Sequence, residues 1–171
     1  MTERKGAVTF KGSPLTLTGN EIKAGGQAPD VELTGNDMKP VRLSSYRGTV
    51  LALLSVPSLD TPVCDMETRR FNKEAASLGP DVQIVAVSMD LPFAQARWCG
   101  AADINRVRTL SDHRDRAFGE AYGVLIKELG LLARAIFVID REGVLRYTQL
   151  VREIGNEPDY KEALDAIRQT V

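Results

Sequence analysis

The sequence predicts an α/β fold built on a mostly parallel sheet, and three observations carry that expectation. From residue 49 onward, short apolar runs alternate with helical patterns. The first run, Val50-Leu51-Ala52-Leu53-Leu54-Ser55-Val56, is almost unbroken, as expected of a strand covered on both faces. The alternation ends in two strands joined by Asp140-Arg141-Glu142-Gly143, a hairpin turn, and then a helix.

Taken in order, the first 48 residues are rich in turns. Val8-Thr9-Phe10 and Leu15-Thr16-Leu17 flank Lys11-Gly12-Ser13-Pro14 and read as a β-hairpin. A loop, Gly25-Gly26-Gln27-Ala28-Pro29-Asp30, precedes short strands expected at 31–33 and 41–43. After the strand at 50–56, a helix over 62–78 stops at Gly79-Pro80. The next strand is 82–88. Asp90-Leu91-Pro92 opens a second helix through Cys99, which Gly100 is expected to close. A short strand over 107–110 and a helix over 114–122 follow, then strands over 135–139 and 144–148. A terminal helix spans 158–169, with Leu164 and Ile167 at helical spacing. The core order β-α-β-α-β-α-β-β-α matches the thioredoxin fold, with an N-terminal β-hairpin extension. No repeat, low-complexity run or second domain interrupts residues 1–171, so one domain is expected, with 1–48 as a strand extension within it.

Composition narrows the function. The chain is 43% hydrophobic and 26% charged, with a net charge of -1. That balance leaves no electrostatic footprint for nucleic acid or an anionic membrane. No stretch approaches the roughly 18 apolar residues of a membrane span. Met1-Thr2-Glu3-Arg4-Lys5-Gly6 has charge but no apolar core behind it, unlike a secretory signal, so a cytoplasmic location is expected. Two cysteines do not make a disulfide scaffold. With a single histidine, His113, neither a Cys/His zinc site nor a two-histidine metal site can be assembled, and no metal is expected. His113, between Asp112 and Arg114, reads as a solvated surface residue.

The chemistry concentrates at Asp60-Thr61-Pro62-Val63-Cys64. Thr61 is an N-cap residue type and Pro62 suits the first helical position. Cys64 then falls in the first turn, facing unpaired N–H groups and the positive end of the helix dipole, which favour a nucleophilic thiolate. The plainer reading is a core cysteine, but Asp65 beside it argues for a solvated edge. Asp60 and Asp65 oppose a thiolate, so a cation is required nearby. Arg134, between Ala133 and Ala135 where an apolar strand begins, is the candidate. Chain direction decides whether it reaches Cys64, and a strand-end surface arginine is the alternative. The Thr61 hydroxyl serves either as a cap or beside the thiolate. Pro57 follows the strand directly and shapes the loop. Cys99, beside Trp98, is either a buried structural thiol or a distant redox partner; no CxxC motif is present, and bridging requires Cα atoms within roughly 7 Å.

Pro57-Ser58-Leu59-Asp60-Thr61-Pro62-Val63-Cys64 resembles the peroxidatic motif of peroxiredoxins, with a proline, a threonine and a cysteine at this spacing. Gly19-Asn20, Phe93-Ala94-Gln95-Ala96-Arg97-Trp98-Cys99 and Leu131-Leu132-Ala133-Arg134-Ala135 extend the likeness over nearly the whole chain. They make it similar to the thiol peroxidases, the atypical 2-Cys peroxiredoxins of bacteria. The resemblance implies reduction of hydrogen peroxide and organic hydroperoxides, with Cys64 peroxidatic and Cys99 resolving through an intramolecular Cys64–Cys99 disulfide. It implies that Thr61 holds the peroxide and thiolate, that Arg134 stabilises the developing charge, and that Pro57 shapes the pocket. It further implies thioredoxin as reductant, a homodimer, and no metal, haem or flavin cofactor. Trp98 stands where the resemblance leads one to expect phenylalanine. A peroxide-sensing thiol switch without turnover shares the same cysteines, and a binding module with two inert thiols is the third possibility.

Overall fold

The computed structural model describes all 171 residues. Strand β5 (Val50–Ser55) is buried along its whole length, as its apolar run requires. It pairs in parallel with β6 (Val82–Ser88), Ala52 opposite Ile84, and β6 pairs in parallel with β7 (Val107–Ser111), Ile84 opposite Val107. On its other side β5 pairs with β10 (Ala135–Ile139) in antiparallel register, Ala135 opposite Ser55, and β11 (Leu145–Leu150) closes that edge. Two short strands, β3 (Glu32–Thr34) and β4 (Pro40–Arg42), complete a seven-stranded sheet in the order β11-β10-β5-β6-β7-β3-β4. The strands expected near residues 31 and 41 therefore belong to the main sheet.

The N-terminal hairpin, β1 (Glu3–Phe10) and β2 (Ser13–Thr18), does form. It joins β8 (Leu125–Ile126) and β9 (Leu131–Leu132) in a separate four-stranded sheet. Those last two strands went unforeseen: two residues each are too short to show a strand period. Gly19 and Gly123 dock this layer. A Cβ on Gly19 would lie 2.1 Å from the Glu120 carbonyl, and one on Gly123 would lie 2.3 Å from that of Asn20.

Helices cover the sheet. On one face α1 (Pro62–Leu78) buries Phe71, and α4 (Tyr160–Thr170) buries Ala163, Leu164 and Ile167, against Val50, Ala52, Leu54, Ile136 and Val138. The other face holds the larger cluster, in which Phe118, Tyr122 and Phe137 stack and cross. Helix α2 (Pro92–Ala102) runs through Gly100 rather than stopping there. The left-handed residue that ends it is Asp103 (φ 55°), and the Asp103 and Ile104 N–H groups both donate to the Cys99 carbonyl. Helix α3 (Ala117–Ala121) is shorter than expected. It starts only after left-handed Arg116, where the buried Asp112 carboxylate accepts the Phe118 and Gly119 N–H groups at 3.0 and 2.8 Å. No helix is long and apolar enough to cross a membrane.

Candidate active site

The antiparallel pairing of β10 with β5 answers the question of chain direction. The start of one strand lies beside the end of the other, so Arg134 and the β5–α1 junction share one end of the sheet. Ser55 fastens that end by donating to the Ala133 carbonyl at 2.8 Å. Beyond it the buried Pro57 turns the chain into the loop that leads to α1. Asp90, in the β6–α2 connection, holds this loop through the Ser58 hydroxyl at 2.7 Å and the Leu59 N–H at 2.9 Å.

Thr61 has the extended backbone of an N-cap, yet its hydroxyl does not cap the helix. It donates instead to the Ser58 carbonyl at 2.8 Å. Cys64, in the first turn, is 0% exposed and packs with Val56, Leu59 and Trp98, so it does not sit on a solvated edge. Successive helix positions diverge by about 100°. Asp65 can therefore face outward, to Arg69 and Trp98, while Cys64 points in.

Arg134 is 1% exposed and is no surface residue. Its Nη1 donates to Cys64 Sγ at 3.3 Å and to Glu67 Oε2 at 2.7 Å, and its Nη2 donates to the Ile154 carbonyl at 2.9 Å. Thr68 donates to the Cys64 carbonyl at 2.9 Å and tightens the same turn. Burial works against the charge on Arg134, but Cys64 and Glu67 outweigh it and raise its pKa. Glu67 is the site residue that sequence reasoning missed. Its signal was present: a carboxylate three residues after Cys64 and four before Phe71, on the inward stripe of the helix. Burial pushes its carboxyl up to about 7 against the opposing pull of Arg134.

That shift has a consequence for stability. The folded state holds the Glu67 proton more tightly than an unfolded carboxyl, whose ordinary value is 4.5. The contribution is full below that value and is lost as pH rises through the folded value. Asp112, pushed up to about 6 chiefly by burial, acts with the same sign. Thermal denaturation should show Tm falling by a few degrees between about pH 5 and 7.5. Glu67→Gln should shrink that fall; an identical pH slope in the variant would remove Glu67 as its source.

Cys99 lies elsewhere. Half-buried on α2, its sulfur is 3.5 Å from the Thr109 hydroxyl of β7. Burial raises its thiol pKa, opposed by the Thr109 contact. Both cysteines are free thiols. The structure thus brings Cys64 and Arg134 together, keeps Pro57 and Thr61 on the adjoining loop, and leaves Cys99 with different partners. His113 is half-buried rather than solvated, with Nδ1 3.0 Å from the Ser111 hydroxyl. No group of three or more His, Cys, Asp or Glu side chains is placed to hold a metal ion.

A thiol at a helix N-terminus, beneath a buried guanidinium at the end of a thioredoxin-fold sheet, defines a thiol-redox protein. The chain belongs to the Redoxin family, whose model matches residues 23–164. It is 52% identical over 164 residues to a thiol peroxidase of Bacillus subtilis, covering 96% of this chain and 98% of that one. A thiol peroxidase of Clostridium acetobutylicum is 50% identical over 159 residues, covering 93% and 96%. Among solved structures, a peroxiredoxin-like protein from Aquifex aeolicus superposes with a TM-score of 0.91 at 42% identity, covering 97% and 98%. The thiol peroxidase from Chromobacterium violaceum gives 0.84 at 20% identity over 95% of each chain, a likeness of fold.

Proposed function

We propose that this chain, acting as one domain, reduces hydroperoxides with Cys64 as the attacking sulfur and Cys99 as its resolving partner. The chain is a thiol-dependent peroxidase, in keeping with its family and its relatives. The observation that carries the residue assignment is the Arg134 guanidinium 3.3 Å from Cys64 Sγ, fixed from behind by Glu67 and Ile154.

The Cys64 thiolate attacks one peroxide oxygen and the O–O bond breaks. The other oxygen departs as water or alcohol after taking up a proton, leaving Cys64 as a sulfenic acid. Thiolate fraction alone does not give a fast reaction, because a more stable thiolate is also a weaker nucleophile. Arg134 and the N–H groups of the first α1 turn supply the rest by stabilising charge where it develops. With its proton engaged by Ser58, the Thr61 hydroxyl offers lone pairs to a peroxide O–H. Pro57 shapes the loop that carries Thr61. Cys99 then condenses with the sulfenic acid, and a thioredoxin-type dithiol reduces the Cys64–Cys99 disulfide by exchange. A reducing cytoplasm suits two thiols that cycle in this way. The working unit is a homodimer, for which the exposed Leu91 and Phe93 beside this end of α2 offer apolar surface; light scattering in solution checks it.

The test is a coupled assay with thioredoxin, thioredoxin reductase and NADPH, run with hydrogen peroxide and cumene hydroperoxide. Sustained NADPH consumption is expected with both, whereas one stoichiometric oxidation would make the chain a thiol switch. Cys99→Ser should permit a single oxidation of Cys64 and then stop. Mass spectrometry should find sulfenic or higher acid on Cys64 and no internal bridge; continued cycling would remove Cys99 from the pathway.

A further inference from the structure

The facing sides of α1 and α2 carry a set of contacts that the mechanism above does not use. Trp98 is the only tryptophan in the chain. Its half-buried indole packs on Val56, Leu59 and Cys64, and its Nε1–H donates to Asp65 Oδ1 at 2.9 Å. The other Asp65 oxygen accepts from Arg69 Nε at 2.9 Å. The Arg69 guanidinium lies 6.0 Å from the centroid of the indole ring and donates to the Ala102 carbonyl at 3.3 Å. Asp65 and Arg69 are one turn apart on α1, and Trp98 and Ala102 are one turn apart on α2. Four residues thus close a ring between the two helices that bear the cysteines.

That ring has a geometric cost for Cys99. Neighbouring helix positions point about 100° apart. While Trp98 is seated on the Cys64 cluster, Cys99 is turned toward Thr109. We propose that the Asp65–Trp98 bond latches the resolution step: the indole occupies the approach to Cys64, and Cys99 reaches it only after Asp65 lets the indole go. The proposal rests on the reading of Cys64 as the attacking and Cys99 as the resolving sulfur. Asp65 and Trp98 are positioning residues that act through the two cysteines.

Once the latch opens, the Cys99 sulfur attacks the Cys64 sulfenic sulfur. The S–S bond forms and the S–O bond breaks. The departing hydroxide takes the Cys99 thiol proton and leaves as water, so no further oxidant or reductant is consumed. While the latch is shut, a second peroxide can instead carry the sulfenic acid to sulfinic acid. Latch strength therefore sets the partition between the two fates. The start of α2 stays fastened through Asp90 to Ser58 and Leu59, which confines the movement to the last turns. Those turns include Gly100, a poor helix former, and end at left-handed Asp103.

The test uses the full chain with Asp65→Ala, Trp98→Phe and the double substitution. Phenylalanine keeps an aromatic ring, though a smaller one, on the Cys64 cluster and removes the N–H donor, while Asp65→Ala removes the acceptor and leaves the indole whole. After peroxide, rapid quenching with a thiol-alkylating agent and mass spectrometry follow disulfide and sulfinic acid separately. Loss of a hydrogen bond to a carboxylate should speed disulfide formation by about tenfold in each single variant. The sulfinic fraction at high peroxide should drop in step. The double variant should be no faster than the faster single one, because both remove the same bond. In the wild type, the change in Trp98 fluorescence should track disulfide formation rather than the preceding oxidation. Disulfide formation that is unchanged or slower in both single variants, or an additive double variant, would overturn the latch. If the wild type forms no Cys64–Cys99 disulfide, the assignment of the two sulfurs fails. If it does form and the variants leave its rate untouched, only the latch fails.

Discussion

Replacing Cys64 with serine abolishes hydroperoxide consumption in the coupled assay while the fold persists. The substitution is close to isosteric, and serine can still accept from Arg134 and sit under Val56 and Leu59. What it lacks is an ionisable, polarisable sulfur. A hydroxyl stays protonated near neutral pH, and oxygen offers no counterpart to the sulfenic acid that must receive the peroxide oxygen. Near-wild-type denaturation together with background activity is the expected pair of results. Turnover that survives the substitution would move the attacking sulfur to Cys99.

Arg134→Ala should produce a double loss, because in the proposed mechanism the guanidinium serves the reaction as well as the core. Removing a fixed donor from developing charge lowers the rate of Cys64 oxidation by about a hundredfold, read by stopped flow with limiting peroxide. It also leaves Glu67 buried without its cation, and breaking such a pair destabilises by about 3–5 kcal/mol, read by urea denaturation. Part of that cost fades below about pH 7, where Glu67 takes up a proton. The double variant Arg134→Ala, Glu67→Gln separates the two roles. It should regain stability and remain slow; a double variant that regained its rate would show that Arg134 acts only as a prop. Lysine would be a poor substitute, since a single ammonium cannot reproduce the fork that spans Cys64, Glu67 and the Ile154 carbonyl.

The parts of this site that were legible in the sequence are those whose causes are local. An apolar run, a proline at the first helical position and a Gly-Pro stop specify β5 and α1 almost to the residue. Cys64 and Arg134 stood out because a thiol in a first turn and a charge entering an apolar strand each demand explanation. Their meeting was not legible, since it depends on β10 running antiparallel to β5. The orientation of Cys64 was misjudged because Asp65 describes the adjacent direction on the helix, not the one Cys64 takes. Thr61 is a cap by residue type and backbone, but its hydroxyl donates to the Ser58 carbonyl and accepts nothing from the first helical turn. Gly100 suggested a helix end, whereas the tertiary position of the turn placed the left-handed residue at Asp103.

The three bonds of Arg134 also bear on when reactivity is acquired. They join α1, the residue just ahead of β10, and the segment at Ile154, so they close only after most of the chain has been synthesised and the central strands have paired. A ribosome that has released Cys64 has not yet released Arg134 or Ile154. The nascent thiol therefore has neither its guanidinium nor the packing of Val56, Leu59 and Trp98 around it, and it behaves as any cysteine of an unfolded chain. The reactivity toward peroxide proposed for Cys64 is then a product of long-range closure, which is the slow part of folding. An oxidant that would overwhelm the finished site meets an unarmed sulfur during synthesis.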